Sequence, residues 1–127
     1  MQEQHLFEYA VIRIVPRVER EEFLNVGVIV FCKRPVYLGV RYKLDEEKIK
    51  SLFGETDLDC LRDSLSSFHK IADADPAGGP IARLDAPSRF RWLTATRSTM
   101  LQTSKVHPGL SRNPSQMLET LFAKLVL

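Results

Sequence analysis

Two stretches near the N-terminus are apolar on both faces of an extended strand. Residues 7–15 are mainly apolar at odd and even positions alike, and residues 25–32 carry apolar side chains on both faces around Gly27. A strand of this kind is buried on both faces, whereas a strand with one solvent-exposed face alternates apolar and polar residues. Pro16 ends the first stretch because proline cannot donate to a strand ladder. The sequence therefore predicts a central first strand and a second strand that is buried on both faces.

Capping signals place three helices after these strands. Asp45 is a typical N-cap, and Gly54 is a typical helix stop. A second helix is predicted to open at Thr56, with Asp59 three residues later. The last helix is predicted to begin at Asn113, which is followed by Pro114 at the first helical position.

The remaining segments give weaker signals. A half-exposed strand is predicted over 36–43, and a loop is predicted over 75–80, where Pro and Gly alternate with small residues. No element is predicted for 81–88. A hydroxyl-rich strand is predicted over 96–106, and His107-Pro108-Gly109 is predicted to break it.

These elements define an expected fold class. Strands in a row, followed by helices and one more strand, favour an α+β fold over a parallel α/β fold. We expect an antiparallel or mixed sheet of about four strands, covered by two or three helices. A length of 127 residues fits a single domain over 1–127.

Composition and the lengths of apolar segments argue against a membrane, secreted, disulfide-rich or zinc-binding protein. The longest apolar run, residues 26–32, is far shorter than the roughly 20 residues of a membrane span. The N-terminus lacks the basic start and apolar segment of a signal peptide. Two cysteines, Cys32 and Cys60, are too few for a disulfide framework or a zinc site. We expect a cytoplasmic protein without a membrane, metal or cofactor partner; the sequence indicates no oligomeric state.

Motifs for catalysis are weak. The sequence has no glycine-rich phosphate loop and no Gly-x-Ser-x-Gly elbow. Ser67 and Lys70 match Ser-x-x-Lys, but the companion motifs of penicillin-binding enzymes are missing. Ser64, Ser66 and Ser67 are better interpreted as the solvent face of a helix. The balance is against an enzyme.

Charge is unevenly distributed along the chain. Residues 1–76 hold 11 Lys and Arg against 14 Asp and Glu, and residues 77–127 hold 7 against 2. Arginine dominates the basic half, and its rigid fork suits phosphate and carboxylate. The excess is explained either by a solvated face, by docking on the acidic half of the same fold, or by an anion site.

One segment of the basic half, residues 90–99, combines the only tryptophan with two arginines and four hydroxyl side chains. Arginine beside hydroxyl groups is typical of an anion or phosphate site, and aromatic rings interleaved with arginines suit single-stranded nucleic acid. The simpler alternative is that Phe90, Trp92 and Leu93 belong to the core and that the threonines line an exposed strand. The candidate anion-binding residues are Arg91, Thr94, Thr96, Arg97 and Ser98.

Several segments together resemble a known bacterial family. They are Tyr9 to Pro16, Arg20 to Phe31, Phe90 to Ser98 and Asn113 to Leu125, and Glu22-Phe23-Leu24-Asn25-Val26-Gly27-Val28 is the most specific. The chain resembles the family called domain of unknown function 3037. The resemblance implies a stand-alone cytoplasmic bacterial protein, often encoded beside a HipA-like kinase, and therefore a partner or regulator role.

The most specific segment also has a physical interpretation. Gly27 in a strand indicates a β-bulge or a close backbone approach. Asn25 at the start of the strand is suited to bonding nearby backbone. Arg20 and Glu22 are suited to pairing with each other, with Arg13 or with a ligand. Arg20, Glu22 and Asn25 form a second candidate site.

Two functional hypotheses follow. The first is a non-enzymatic interaction or regulatory module with a protein partner, for which a HipA-like kinase is the suggested candidate. The alternative is an anion, phosphate or nucleic-acid binding domain that uses the basic half, and its affinity would fall with salt.

Overall fold

A computed structural model of the chain describes residues 3–97 and 99–127. Its strands are β1 His5–Ile14, β2 Leu24–Cys32, β3 Tyr37–Tyr42, β4 Leu101–Thr103 and β5 His107–Ser111. Its α-helices are α1 Glu46–Phe53, α2 Leu58–Ala72, α3 Ala86–Leu93 and α4 Pro114–Leu125. Short 3-10 turns occupy Val18–Arg20, Pro76–Gly78 and Pro80–Arg83.

The strands form one antiparallel sheet. The order is β3-β2-β1-β4, and β5 pairs with the first half of β1 while β4 pairs with its end. The described residues thus give five antiparallel strands and four α-helices, an α+β arrangement. The predicted fold class is confirmed, β1 is central as expected, and β2 is buried on both faces as expected.

Helices cover both faces of the sheet. On one face Ile49 of α1, Leu65 of α2 and Phe90 of α3 share a buried cluster with Ile12 and Ile29. On the opposite face, Leu118 and Phe122 of α4 pack in a second cluster with Phe7, Val28 and Val30. This two-sided cover explains why β2 needs apolar side chains at successive positions.

Gly27 lies beside a bulge and in a close approach of two strands. Ile12 pairs with Gly27 but Arg13 pairs with Asn25, so Val26 is the extra residue on β2. A Cβ on Gly27 would lie 2.8 Å from the carbonyl oxygen of Arg41. Both parts of the prediction for Gly27 are confirmed.

The helix caps agree with the sequence in two cases of three. Asp45 accepts from the backbone N–H of Lys48, and Asn113 accepts from that of Gln116. The prediction that the second helix opens at Thr56 was wrong. Asp57 is the N-cap of α2 and accepts from the N–H of Cys60 at 3.0 Å.

Three predictions for the basic half were wrong. No helix was expected over residues 86–93, but they form α3. This helix begins where the Asp85 side chain accepts a hydrogen bond from the N–H of Ser88. The expected strand over 96–106 is reduced to β4. The expected break at 107–109 is part of β5, an edge strand, where the missing N–H of proline is tolerated.

The loop predicted over 75–80 is also more regular than expected. Most of it is taken up by 3-10 turns, and the first begins where Asp75 accepts from the N–H of Ala77.

Candidate functional site

The apolar residues of the segment 90–99 divide between the core and the surface. Phe90 and Leu93 are buried, and the ring of Phe90 stacks on Phe31 with centroids 5.0 Å apart. Trp92 is 37% exposed, and its ring meets Phe68 edge-on at 6.2 Å. The core interpretation holds for Phe90 and Leu93. Trp92, in contrast, lies at the protein surface.

Arg97 closes the C-terminus of α3. Its Nη1 donates to the carbonyl oxygens of Leu93 at 2.9 Å and Ala95 at 3.4 Å, and its Nη2 donates to that of Trp92 at 2.6 Å. The last carbonyls of a helix lack intrahelical partners and carry partial negative charge, which a cation stabilises. Arg97 therefore has a structural role.

The guanidinium of Arg97 also packs on two aromatic rings. Its Cζ lies 4.6 Å from the ring centroid of Trp92 and 5.2 Å from that of Phe68. Burial lowers the pKa of Arg97 below its ordinary value. The side chain remains charged at neutral pH because arginine titrates far above it.

The other candidate anion-binding residues are arranged differently. Thr94 donates its hydroxyl to the carbonyl oxygen of Phe90 at 2.9 Å, so it too closes α3. Arg91 and Thr96 are exposed. Ser98 lies outside the described residues. The structure brings Thr94 and Arg97 to the same helix end, where both bind backbone carbonyls.

A second arginine of the basic half closes a different helix. Arg89 donates from Nη1 to the carbonyl oxygens of Ile71 and Ala72, at 2.9 and 2.8 Å, and from Nε to that of Leu84. It therefore joins the basic half to the C-terminus of α2. This contact supports docking within the fold as one source of the arginine excess.

A groove of about 480 Å³ lies between α2, the end of α3 and the start of β4. Most of its lining is apolar. We call it the Trp92 groove, and its defining residues are Cys60, Ser64, Ser67, Phe68, Trp92 and Arg97. Cys60, Ser64 and Ser67 follow one another at intervals of four and three along α2, and their small side chains leave the space open.

The second candidate site is split between two hollows. Arg20 and Glu22 form an exposed ion pair, and both line a small cavity of about 190 Å³ with Arg17 and Leu52. Asn25 lines a different hollow beside α4 and donates from Nδ2 to the carbonyl oxygen of Leu125 at 3.3 Å. The expected Arg20–Glu22 pairing is confirmed, whereas Asn25 bonds a backbone group distant in sequence.

The family comparison covers nearly the whole chain. Residues 9–126 match the family described as protein of unknown function (DUF3037). The chain belongs to this family. No curated protein and no solved structure matches it significantly. Among the described residues, none of the helices combines the length and apolar composition needed to cross a bilayer.

Sequence reasoning missed most of the groove in this DUF3037 protein. Ser64 and Ser67 were expected on a purely solvated helix face, and Phe68 was expected only in the core stripe. The groove forms because α2 and the α3–β4 connection, more than 20 residues apart in sequence, meet on the same sheet face. The sequence feature that pointed toward this groove was Trp92, a large aromatic side chain in a segment with two arginines and four hydroxyl side chains.

Proposed function

We propose that this DUF3037 protein is a non-enzymatic interaction module that binds a protein partner through the Trp92 groove. The observation that carries the proposal is the position of the only tryptophan, 37% exposed on an apolar groove. Tryptophan and arginine are among the residues enriched at binding hot spots, and Trp92 and Arg97 line this groove together.

The anion or nucleic-acid alternative has less support. An anion site over Arg91, Thr94, Thr96, Arg97 and Ser98 needs free donors that converge. Instead, the Thr94 hydroxyl donates to the carbonyl oxygen of Phe90, and Arg97 donates two hydrogen bonds to carbonyls of α3 and one to the carbonyl of Ala95. Stacking of several bases also needs more exposed aromatic area than Trp92 alone supplies.

The family resemblance guides the choice of partner and setting. It points to a bacterial cytoplasmic protein and to a HipA-like kinase as the first partner to test. A partner encoded beside the chain would be made together with it, and an apolar groove is suited to a permanent or regulatory contact.

The test is binding of the purified chain to the HipA-like kinase of its own host, measured by isothermal titration calorimetry. We compare the wild type with Ser67→Gln, which fills the groove from an exposed helix position, and with Val36→Ala. Val36 is 72% exposed and does not line the groove, so its variant is the matched control.

We expect Ser67→Gln to weaken binding at least tenfold and Val36→Ala to leave it unchanged. Equal affinity of all three proteins overturns the groove as the interface. Absence of any complex with the kinase overturns that partner. If affinity purification from the host then also yields no stoichiometric protein, the interaction module itself is overturned.

A further inference from the structure

One edge of the Arg97 guanidinium has no hydrogen-bond partner among the described residues. A guanidinium has five N–H donors, and the three hydrogen bonds that Arg97 makes to the carbonyls of Leu93, Ala95 and Trp92 all come from Nη1 and Nη2. Among residues 3–97 and 99–127, Nε donates no hydrogen bond and Nη2 donates one of its two. In a guanidinium, the Nε–H bond runs parallel to the nearer N–H bond of Nη2, so this side of the group can bind both oxygens of one carboxylate.

The charge of Arg97 also has no carboxylate partner in the part of the chain that the structure describes. None of the ion pairs formed by the described residues includes it. The carbonyls at the end of α3 offset only part of a full positive charge, because a helix end carries roughly half a charge. Arg97 is thus a half-buried, partly compensated cation beside the rings of Trp92 and Phe68.

We infer that the Trp92 groove recognises an apolar segment of a protein partner that carries one Asp or Glu side chain. The carboxylate accepts two hydrogen bonds from the Nε–Nη2 edge of Arg97, and the apolar neighbours of that side chain cover Trp92. The inference rests on the proposed function and adds the chemistry of the partner. It assigns Arg97 two roles at once, one toward α3 and one toward the ligand.

The geometry favours a carboxylate over a neutral acceptor. Two parallel N–H donors match the two oxygens of a carboxylate, and such charge-assisted pairs are about twice as strong as neutral hydrogen bonds. The apolar lining limits solvent screening once the groove is filled. A carboxylate ligand should therefore bind about tenfold more tightly than its amide counterpart.

The test uses two synthetic peptides, acetyl-Leu-Leu-Glu-Leu-Leu-amide and the same peptide with Gln in place of Glu. Each is titrated into the ¹⁵N-labelled full chain, and the Trp92 indole N–H and the Arg97 Nε–H resonances are followed by NMR. Arg97→Lys assigns the Nε–H signal. Arg89→Lys is the matched control, because Arg89 also closes a helix but does not line the groove.

A second pair of variants removes any dependence on the fold of the Arg97 variant. Ser67→Glu introduces a carboxylate into the groove, and Ser67→Gln introduces equal bulk without charge. Ser67 is exposed on α2, so both chains are expected to fold. A carboxylate at this position should compete with the ligand for Arg97.

We expect the Glu peptide to shift both resonances and to bind about tenfold more tightly than the Gln peptide. Arg89→Lys should keep this preference, and Ser67→Glu should bind the Glu peptide about tenfold more weakly than Ser67→Gln. If both peptides shift the Trp92 signal equally and neither shifts Arg97 Nε–H, the groove remains a binding site but carboxylate recognition by Arg97 is overturned. No shift of Trp92 by either peptide overturns both.

Discussion

Replacement of Gly27 by alanine tests the structural role assigned to the most specific segment of the sequence. An added Cβ would lie 2.8 Å from the carbonyl oxygen of Arg41, 2.9 Å from the Cβ of Tyr42 and 3.2 Å from the Cδ1 of Ile12. The first two atoms move only if β3 moves, because Gly27 and Tyr42 are paired in the sheet.

The expected cost combines two opposing effects. Overpacking of this kind costs about 1 to 3 kcal/mol. Alanine also restricts the unfolded chain, which offsets about 0.4 to 1 kcal/mol. We expect Gly27→Ala to lower the free energy of unfolding by about 1 to 2 kcal/mol, and the melting temperature by roughly 3 to 8 °C for a chain of this size.

Urea denaturation followed by circular dichroism measures this difference. Gly54→Ala is the matched control, because no atom lies within 4 Å of its added Cβ, and any cost there comes from the positive φ of 71°. A Gly27→Ala chain as stable as the wild type would refute the argument from strand packing. Lost partner binding at unchanged stability would instead make Gly27 a functional residue.

Three further variants test individual contacts. Burial, and then the charge of Glu119, raises the pKa of Tyr37 above its ordinary 10.0. The contribution of the neutral Tyr37 side chain to folding stability is therefore complete below pH 10.0 and is lost as the pH rises through the folded-state pKa. Tyr37→Phe should flatten the alkaline limb of a stability profile measured by urea titration. Hydrogen bonds from Ser88 lower the pKa of the Asp85 carboxyl below 3.8. The contribution of the ionised carboxylate to folding stability is therefore lost as the pH falls through this lowered pKa. Asp85→Asn should flatten the acid limb of the same stability profile. Arg97→Ala should cost about 2 to 3 kcal/mol in thermal unfolding, because it removes three hydrogen bonds and two ring contacts; a loss below about 0.5 kcal/mol would contradict the capping role.

The central strands and two of the helix starts could be predicted from local sequence. β1 and β2 are apolar on both faces and rich in Val and Ile, which is typical of strands buried on both faces. Asp45 and Asn113 cap their helices through their own side chains, which is a local property. Such features depend on few distant contacts.

The errors lie where a local signal has two meanings. Pro108 and Gly109 suggested a break, but β5 is an edge strand, and Gly109 leaves room for the ring of Phe7, which would lie 2.5 Å from an added Cβ. In α3 the start signal of Asp85 and Pro87 was present, yet few apolar residues mark its helical period. Pairing with β1 decided the first segment, and the second combines the Asp85 cap with burial of Phe90 and Leu93.

The groove could be predicted only in part. The sequence marked Trp92 and Arg97 as unusual, and the structure places them together with Phe68. The opposite wall comes from the small side chains of α2, which looked like an ordinary polar helix face. A groove of this kind depends on how closely two segments that are distant in sequence pack in space. No local sequence pattern encodes that spacing.

The indole N–H resonance of Trp92 tests the central claim most directly. The chain has one tryptophan, so a ¹⁵N-labelled sample gives one indole signal, and an unlabelled partner adds none. On addition of a partner that forms a stoichiometric complex, the account predicts that this signal shifts or broadens at the concentration where the complex forms. A complex that forms while the Trp92 signal keeps its position and width would contradict the account.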